Sequence, residues 1–143
     1  MFYGTTSFQS EIPRTYLSSN FSELSQNQVL FSEGIKGALF LAKNCASKNN
    51  RESVVKQLSK SFRVDSLSSC LKNANAPPGS NIKDKKSVMP QYLFYLAFEN
   101  QNTDDYITEK LWGSLQSGTI PVYLGAPDIK DHIPFNGVIF VKV

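Results

Sequence analysis

The chain has 143 residues, of which 41% are hydrophobic and 19% charged, enough apolar side chains for the core of one ordinary globular domain. Its net charge of +3 and pI near 8.8 allow a mild attraction for an anionic small molecule and argue against the clustered basic surface of a nucleic-acid binder. The longest apolar run, residues 37–42, is far too short to cross a bilayer, and the first residues lack the basic, apolar and small regions of a signal peptide.

No internal repeat or low-complexity tract divides the chain. Near its start, Asn20-Phe21-Ser22 forms a glycosylation sequon with Asn20 as acceptor, a triplet that also arises often by chance. Residues 37–43, GALFLAK, are continuously apolar in the manner of a strand buried on both faces. Asn50 is the predicted N-cap of a helix in which Arg51 and Glu52 open the first turn and Val54, Val55, Leu58 and Phe62 share one face. Residues 62–67 read as the next strand, ending near Cys70. Cys45 and Cys70 fit either a buried reduced pair or a disulfide, and composition does not choose between them. Residues 73–90 are polar and rich in Pro, Gly, Ser and Lys, which predicts a long surface connection, with Lys83-Asp84-Lys85-Lys86 as a solvated face.

Residues 93–98 are aromatic and aliphatic, as in a central strand. Asp104 or Asp105 is predicted to cap a helix whose apolar stripe is Ile107, Leu111 and Leu115 and which stops at Gly118. A strand over 119–124, a short helix over 128–133 and a last strand over 138–141 follow. The order β-α-β-β-α-β-α-β implies an α/β fold built on a parallel, Rossmann-like sheet.

Open parallel sheets bind ligands outside the carboxyl ends of their strands, where the following helices present unpaired N–H groups. Arg51 and Lys110 sit near the starts of two such helices, and a guanidinium plus an ammonium aimed at one crevice would suit the diphosphate of a nucleotide or nucleotide sugar. A cation at a helix start is, however, more often a plain surface residue. No P-loop and no Gly-x-Gly-x-x-Gly is present. Glu99 and Glu109 suggest an acid/base pair, but their spacing fixes no carboxylate separation, and Glu99 at a strand end serves equally to hold a loop. His132 reads as a surface helix residue. The two cysteines and single histidine make no zinc site of standard spacing, and Asp104-Asp105 is not an Asp-x-Asp motif.

Residues 92–134, YLFYLAFENQNTDDYITEKLWGSLQSGTIPVYLGAPDIKDHIP, resemble the donor-domain motif of the α-1,3/1,4-fucosyltransferase family. Upstream, LAKNCASKNNRESVVKQL is similar to that family's Asn-Cys helix opening, and MFYGTTSFQSEIPRTYLS resembles its first strand and loop, so the resemblance covers essentially the whole chain. The placement of Cys45 and Cys70 looks most like plant, algal or protist members. Leu93 stands where the family commonly has Lys, and Gln101 where it has Ser or Thr.

The resemblance implies that residues 1–143 are the GDP-fucose-binding, C-terminal half of a GT-B glycosyltransferase, truncated at both ends, with the N-terminal acceptor domain absent. Arg51 and Lys110 would hold the GDP diphosphate, and Asn100 and Tyr106 would contact the donor. Glu109 would lie beside the nucleotide sugar, binding donor hydroxyls or stabilising the positive charge developing on the fucose ring, while Glu99 shapes the loop. The implied reaction is inverting transfer of fucose from GDP-fucose to a hydroxyl of a GlcNAc-containing glycan or glycoprotein, with the general base supplied by the acceptor domain. Fixed cations would stabilise the leaving group, so no cofactor is obligatory and a divalent ion, Mn or Mg, is at most stimulatory. A full-length member is expected in the Golgi lumen as a type II membrane protein. In that oxidising compartment Cys45 and Cys70, each following one of two parallel strands, are expected to pair as a disulfide. The competing readings are a non-catalytic nucleotide-sugar or glycan-binding module, an inactive fragment, and a Rossmann-like domain that prefers UDP or ADP.

Overall fold

The computed structural model describes residues 29–133 and 136–142; the sequon at Asn20 and the N-terminal segment similar to the family's first strand lie outside them. Five strands, β1 (Ile35–Phe40), β2 (Val64–Ser66), β3 (Tyr92–Phe98), β4 (Ile120–Leu124) and β5 (Ile139–Phe140), form one sheet in the order β2-β1-β3-β4-β5, with every neighbouring pair parallel. Helices α1 (Arg51–Leu58), α2 (Lys85–Val88) and α3 (Glu109–Gln116) connect them, with 3-10 turns at Met89–Gln91 and Ile129–Asp131. This is the Rossmann-like α/β sheet that the alternation of elements implied. No helix among the described residues is long and apolar enough to cross a membrane.

The two-residue period of the strands sorts their apolar side chains onto the two faces of the sheet. Leu39, Tyr95, Ala97 and Tyr123 pack with Leu111, Trp112 and Leu115 of α3, whereas Ala38, Phe40, Leu96, Phe98 and Leu124 pack with Val55 of α1 and Val64. Both faces are therefore covered, which is why β1 and β3 read as unbroken apolar runs instead of alternating ones.

Local chemistry moves several boundaries. Asn50 precedes α1 in the left-handed region (φ 55°) and caps nothing with its side chain; the Ser47 hydroxyl accepts the Arg51 N–H at 3.1 Å instead. Phe62 is not on the helix face: it is exposed beyond α1, its ring meeting Phe94 edge-on with centroids 5.8 Å apart. The run around Lys83 is more than a solvated face, because the Asp84 carboxylate accepts the Lys86 N–H and so starts α2 inside what read as a continuous loop. Neither Asp104 nor Asp105 caps α3. That role belongs to Thr108, whose hydroxyl accepts the Lys110 N–H at 3.4 Å, while Asp105 holds a left-handed φ of 62° incompatible with helix. Gly118, at φ 74°, supplies the left-handed turn that leaves α3 for β4.

Leu111 is fully buried between α3 and the sheet. Leu111→Ala is expected to destabilise the domain by about 2–5 kcal/mol through lost burial and a residual cavity, read as a lowered urea midpoint at unchanged slope.

Candidate functional site

From β1 the chain runs to β2 on one side of the sheet, and from β3 it runs to β4 on the other, so the carboxyl ends of β1 and β3 flank the point where strand order reverses. At such a point the two connections diverge and leave a crevice, the usual ligand site of an open parallel sheet. Three tethers fix its walls. The Asn44 side-chain amide donates to Asn100 Oδ1 at 2.9 Å, the Lys48 N–H donates to the Asn100 carbonyl at 2.9 Å, and Asn49 Nδ2 donates to the Glu99 carbonyl at 3.0 Å and to Asn102 Oδ1 at 2.8 Å. Cys45 and Cys70 are joined by a disulfide (S–S 1.97 Å, Cα–Cα 5.1 Å), which ties the loop after β1 to the segment after β2.

Arg51 lies at this point but turns inward. Its side chain is 3% exposed, with NH1 donating to the Phe98 carbonyl at 2.8 Å and NH2 to the Asn44 carbonyl at 3.2 Å. The guanidinium thus joins the loop after β1 to the end of β3, facing main-chain oxygens with little of it exposed at the crevice that its position at a helix start suggested. Asn49 Oδ1 and Arg51 Nε are buried without a hydrogen-bond partner, the latter 3.8 Å from the Glu52 carboxylate. Asn100 and Tyr106 are both half-buried, Asn100 being one of the tethers.

Glu99, at the carboxyl end of β3, has no solvent exposure. Its carboxylate accepts the Thr108 N–H at 2.9 Å and lies 2.8 and 3.0 Å from the Thr108 hydroxyl and 3.3 Å from Lys110 Nζ. The ammonium also donates to Thr108 Oγ1 at 3.0 Å and stands 3.9 Å from Glu109. Burial pushes the Glu99 carboxyl above the usual carboxylate range, against the pull of Lys110 and the Thr108 hydrogen bonds. The loop around this carboxylate leaves no room for another side chain at Gly125, where a Cβ would meet Glu99 Cγ at 2.6 Å and the Tyr123 hydroxyl at 2.5 Å. Lys110, with 13% of its side chain exposed, is less enclosed than Arg51, and Glu109 reaches solvent at 39%. Glu109 also stands 3.9 Å from Lys85 of α2.

A second group was not legible as a group. Asp105, Asp128 and His132 bring their ligand-type atoms within 4.8 Å of one another, and they are the set among the described residues able to hold a metal ion. Their mutual bonds serve another purpose. His132 Nε2 lies 3.1 Å from Asp128 and 3.3 Å from Asp105, and both Asp128 oxygens accept the Asp105 N–H at 3.1 Å, pinning the loop that carries Tyr106 to the turn after β4. His132 is not a surface residue: 5% of its side chain is exposed. Burial works against ionised Asp128, but the bonds from His132 and the Asp105 amide prevail and hold it below the usual carboxylate range. The only sequence cue was the four-residue spacing of Asp128 and His132 on a helical turn.

A doubly covered parallel sheet with polar loops meeting at its switch point defines an open, Rossmann-like α/β domain. Residues 32–143 match glycosyltransferase family 10 (fucosyltransferase), C-terminal region, and the chain belongs to that family. It is 39% identical over 106 residues to the human GDP-fucose protein O-fucosyltransferase 3 and 38% identical over 104 residues to the same protein from Danio rerio, in each case over 68% of this chain. The chain spans only 22–23% of the length of these relatives. Crystal structures of an α1,3-fucosyltransferase superpose with a TM-score of 0.63 (29% identity, 74% of this chain and 30% of that one), and in the GDP-fucose complex with 0.55 (29% identity, 75% and 28%).

Because Asp128 is held below its unfolded pKa, its contribution is complete above that value and is lost as pH falls through the folded one. Asp128→Asn should therefore be less stable than the parent near neutrality, with the difference shrinking below about pH 4. Urea midpoints measured from pH 7 to 3 on both proteins give the comparison.

Proposed function

We propose that this chain is the donor-binding half of an inverting fucosyltransferase, holding GDP-fucose across the β1/β3 switch point. The observation that carries the reading is the Lys110 ammonium at the N-terminus of α3, beside that crevice and within 3.9 Å of Glu109. The helix N-terminus and the ammonium together favour the diphosphate, and both favour it more as the bond to fucose breaks and charge accumulates on the departing GDP. In this reading Glu109 faces the sugar end of the same ligand, binding its hydroxyls or opposing the positive charge on the anomeric carbon. Asn100 and Tyr106 contribute from the half-buried rim, and Arg51 holds the floor of the crevice in shape. The acceptor hydroxyl attacks opposite the leaving GDP, so configuration inverts, and the general base comes from the acceptor domain. No metal is obligatory, and Mn or Mg is at most stimulatory.

Two acceptors have support. The structural neighbours are α1,3-fucosyltransferases, which favours a GlcNAc hydroxyl on a glycan; the relatives of higher identity are protein O-fucosyltransferases, which favours a hydroxyl on a protein. The higher identity ranks the protein hydroxyl first, and radiolabelled fucose transfer to a folded protein domain against transfer to a GlcNAc-terminated oligosaccharide decides it. The disulfide supports an oxidising compartment, consistent with a Golgi-lumen, type II membrane protein.

Titration calorimetry with GDP-fucose tests the donor reading. Binding should be weakened about tenfold or more by Lys110→Ala, corresponding to loss of one charge-assisted hydrogen bond of about 1.5–3 kcal/mol. UDP and ADP should bind less tightly than GDP, and equal binding of all three would sink the reading.

A further inference from the structure

We infer that occupation of the donor site drives a proton onto Glu99, so that donor binding and protonation of this buried carboxylate are one coupled event. The inference rests on the donor reading of Lys110 and adds a role for Glu99 as a positioning residue.

The geometry makes one ammonium serve two anions. Lys110 Nζ is 3.3 Å from Glu99 and 3.0 Å from Thr108 Oγ1, and among the described residues it is the cation in direct contact with that carboxylate. A diphosphate bound at the start of α3 draws on the same ammonium and adds negative charge a few ångströms from Glu99. A like charge close by, with less of the compensating cation, disfavours ionisation of a carboxyl group that water does not reach. The other groups facing Glu99 do not replace Lys110. Tyr95 on β3 and Tyr123 on β4 are both pushed above their ordinary range by burial and remain neutral phenols. Arg51 bonds to the carbonyl of the preceding residue, Phe98, and Glu109, 3.9 Å from the ammonium, carries a charge of the wrong sign.

The proton has a place to go. Neutral Glu99 keeps the Thr108 N–H on one oxygen at 2.9 Å and turns its new O–H toward Thr108 Oγ1, 2.8 Å from the other oxygen. The N-cap of α3 therefore survives protonation. Lys110 then faces the diphosphate with its charge uncompensated by Glu99, which is the state that binds the leaving group best. The covalent bond that forms is Glu99 O–H, with the proton from solvent; otherwise only hydrogen bonds change, the Thr108 hydroxyl turning its own proton to the other Glu99 oxygen at 3.0 Å as Lys110 Nζ leaves Oγ1 for the diphosphate.

Calorimetry of GDP-fucose binding at about pH 6, in buffers with different ionisation enthalpies, reads the proton directly. The sugar diphosphate is fully ionised there and contributes no proton of its own. Net uptake of up to about one proton is expected, with affinity rising by up to about tenfold for each unit that pH falls. Glu99→Gln, which mimics the neutral carboxyl, should bind at neutral pH as tightly as the parent does at low pH, with no proton uptake and no pH slope. A merely structural Glu99 would give weaker binding of this variant at every pH and would overturn the inference. The uptake measurement on the parent stands even where the variant does not fold. Binding without proton uptake overturns the inference alone, whereas no binding of GDP-fucose overturns the donor reading as well.

Discussion

The charge on Glu99 is the constraint around which this domain is arranged. A carboxylate with no exposure is costly unless it is hydrogen-bonded and paired, and the surrounding chain supplies both: the Thr108 N–H and hydroxyl, and the Lys110 ammonium. Meeting that requirement selects where α3 begins and sets the first turn so that Lys110 lies at the crevice. It also demands that Gly125, across from Glu99, lack a side chain. A residue at the end of a core strand thus decides where the first turn of the next helix stands.

The two cations expected at the crevice differ because their surroundings differ. Arg51, with its side chain buried, satisfies main-chain carbonyls in the loop after β1 and at the end of β3, a task suited to a planar guanidinium whose several donors can reach two oxygens at once. Lys110 is a compact charge at a helix N-terminus, held by groups of which one is itself titratable. The resemblance assigns both cations to a diphosphate; in the structure Arg51 is held by main-chain carbonyls and Lys110 by Glu99 and Thr108.

Around this centre, the tethers across the crevice are made of short amides. Asn44, Asn49, Asn100 and Asn102 join the loops after β1 and β3 without placing apolar surface at the opening. The disulfide and the Asp105–His132–Asp128 contacts hold the outer loops in the same manner, one by a covalent link and the other by charge-assisted bonds. The loops at the carboxyl edge of the sheet are thus fixed from several directions.

By itself, the sequence determined the parallel α/β class and the approximate position of every strand, because unbroken apolar runs such as 37–42 and 93–98 require burial on both sides of a sheet. The specific phrase around Tyr106-Ile107-Thr108-Glu109-Lys110 determined the family. Only the tertiary structure decided that Thr108 and neither Asp104 nor Asp105 caps α3, that Arg51 turns inward, and that His132 is buried between two aspartates. Each of these outcomes depends on a partner distant along the chain, Glu99 for Thr108, Phe98 for Arg51 and Asp105 for His132. Periodicity and local propensity cannot register such partners, because the contacts exist only once the segments that follow β1, β3 and β4 are brought together at one edge of the sheet.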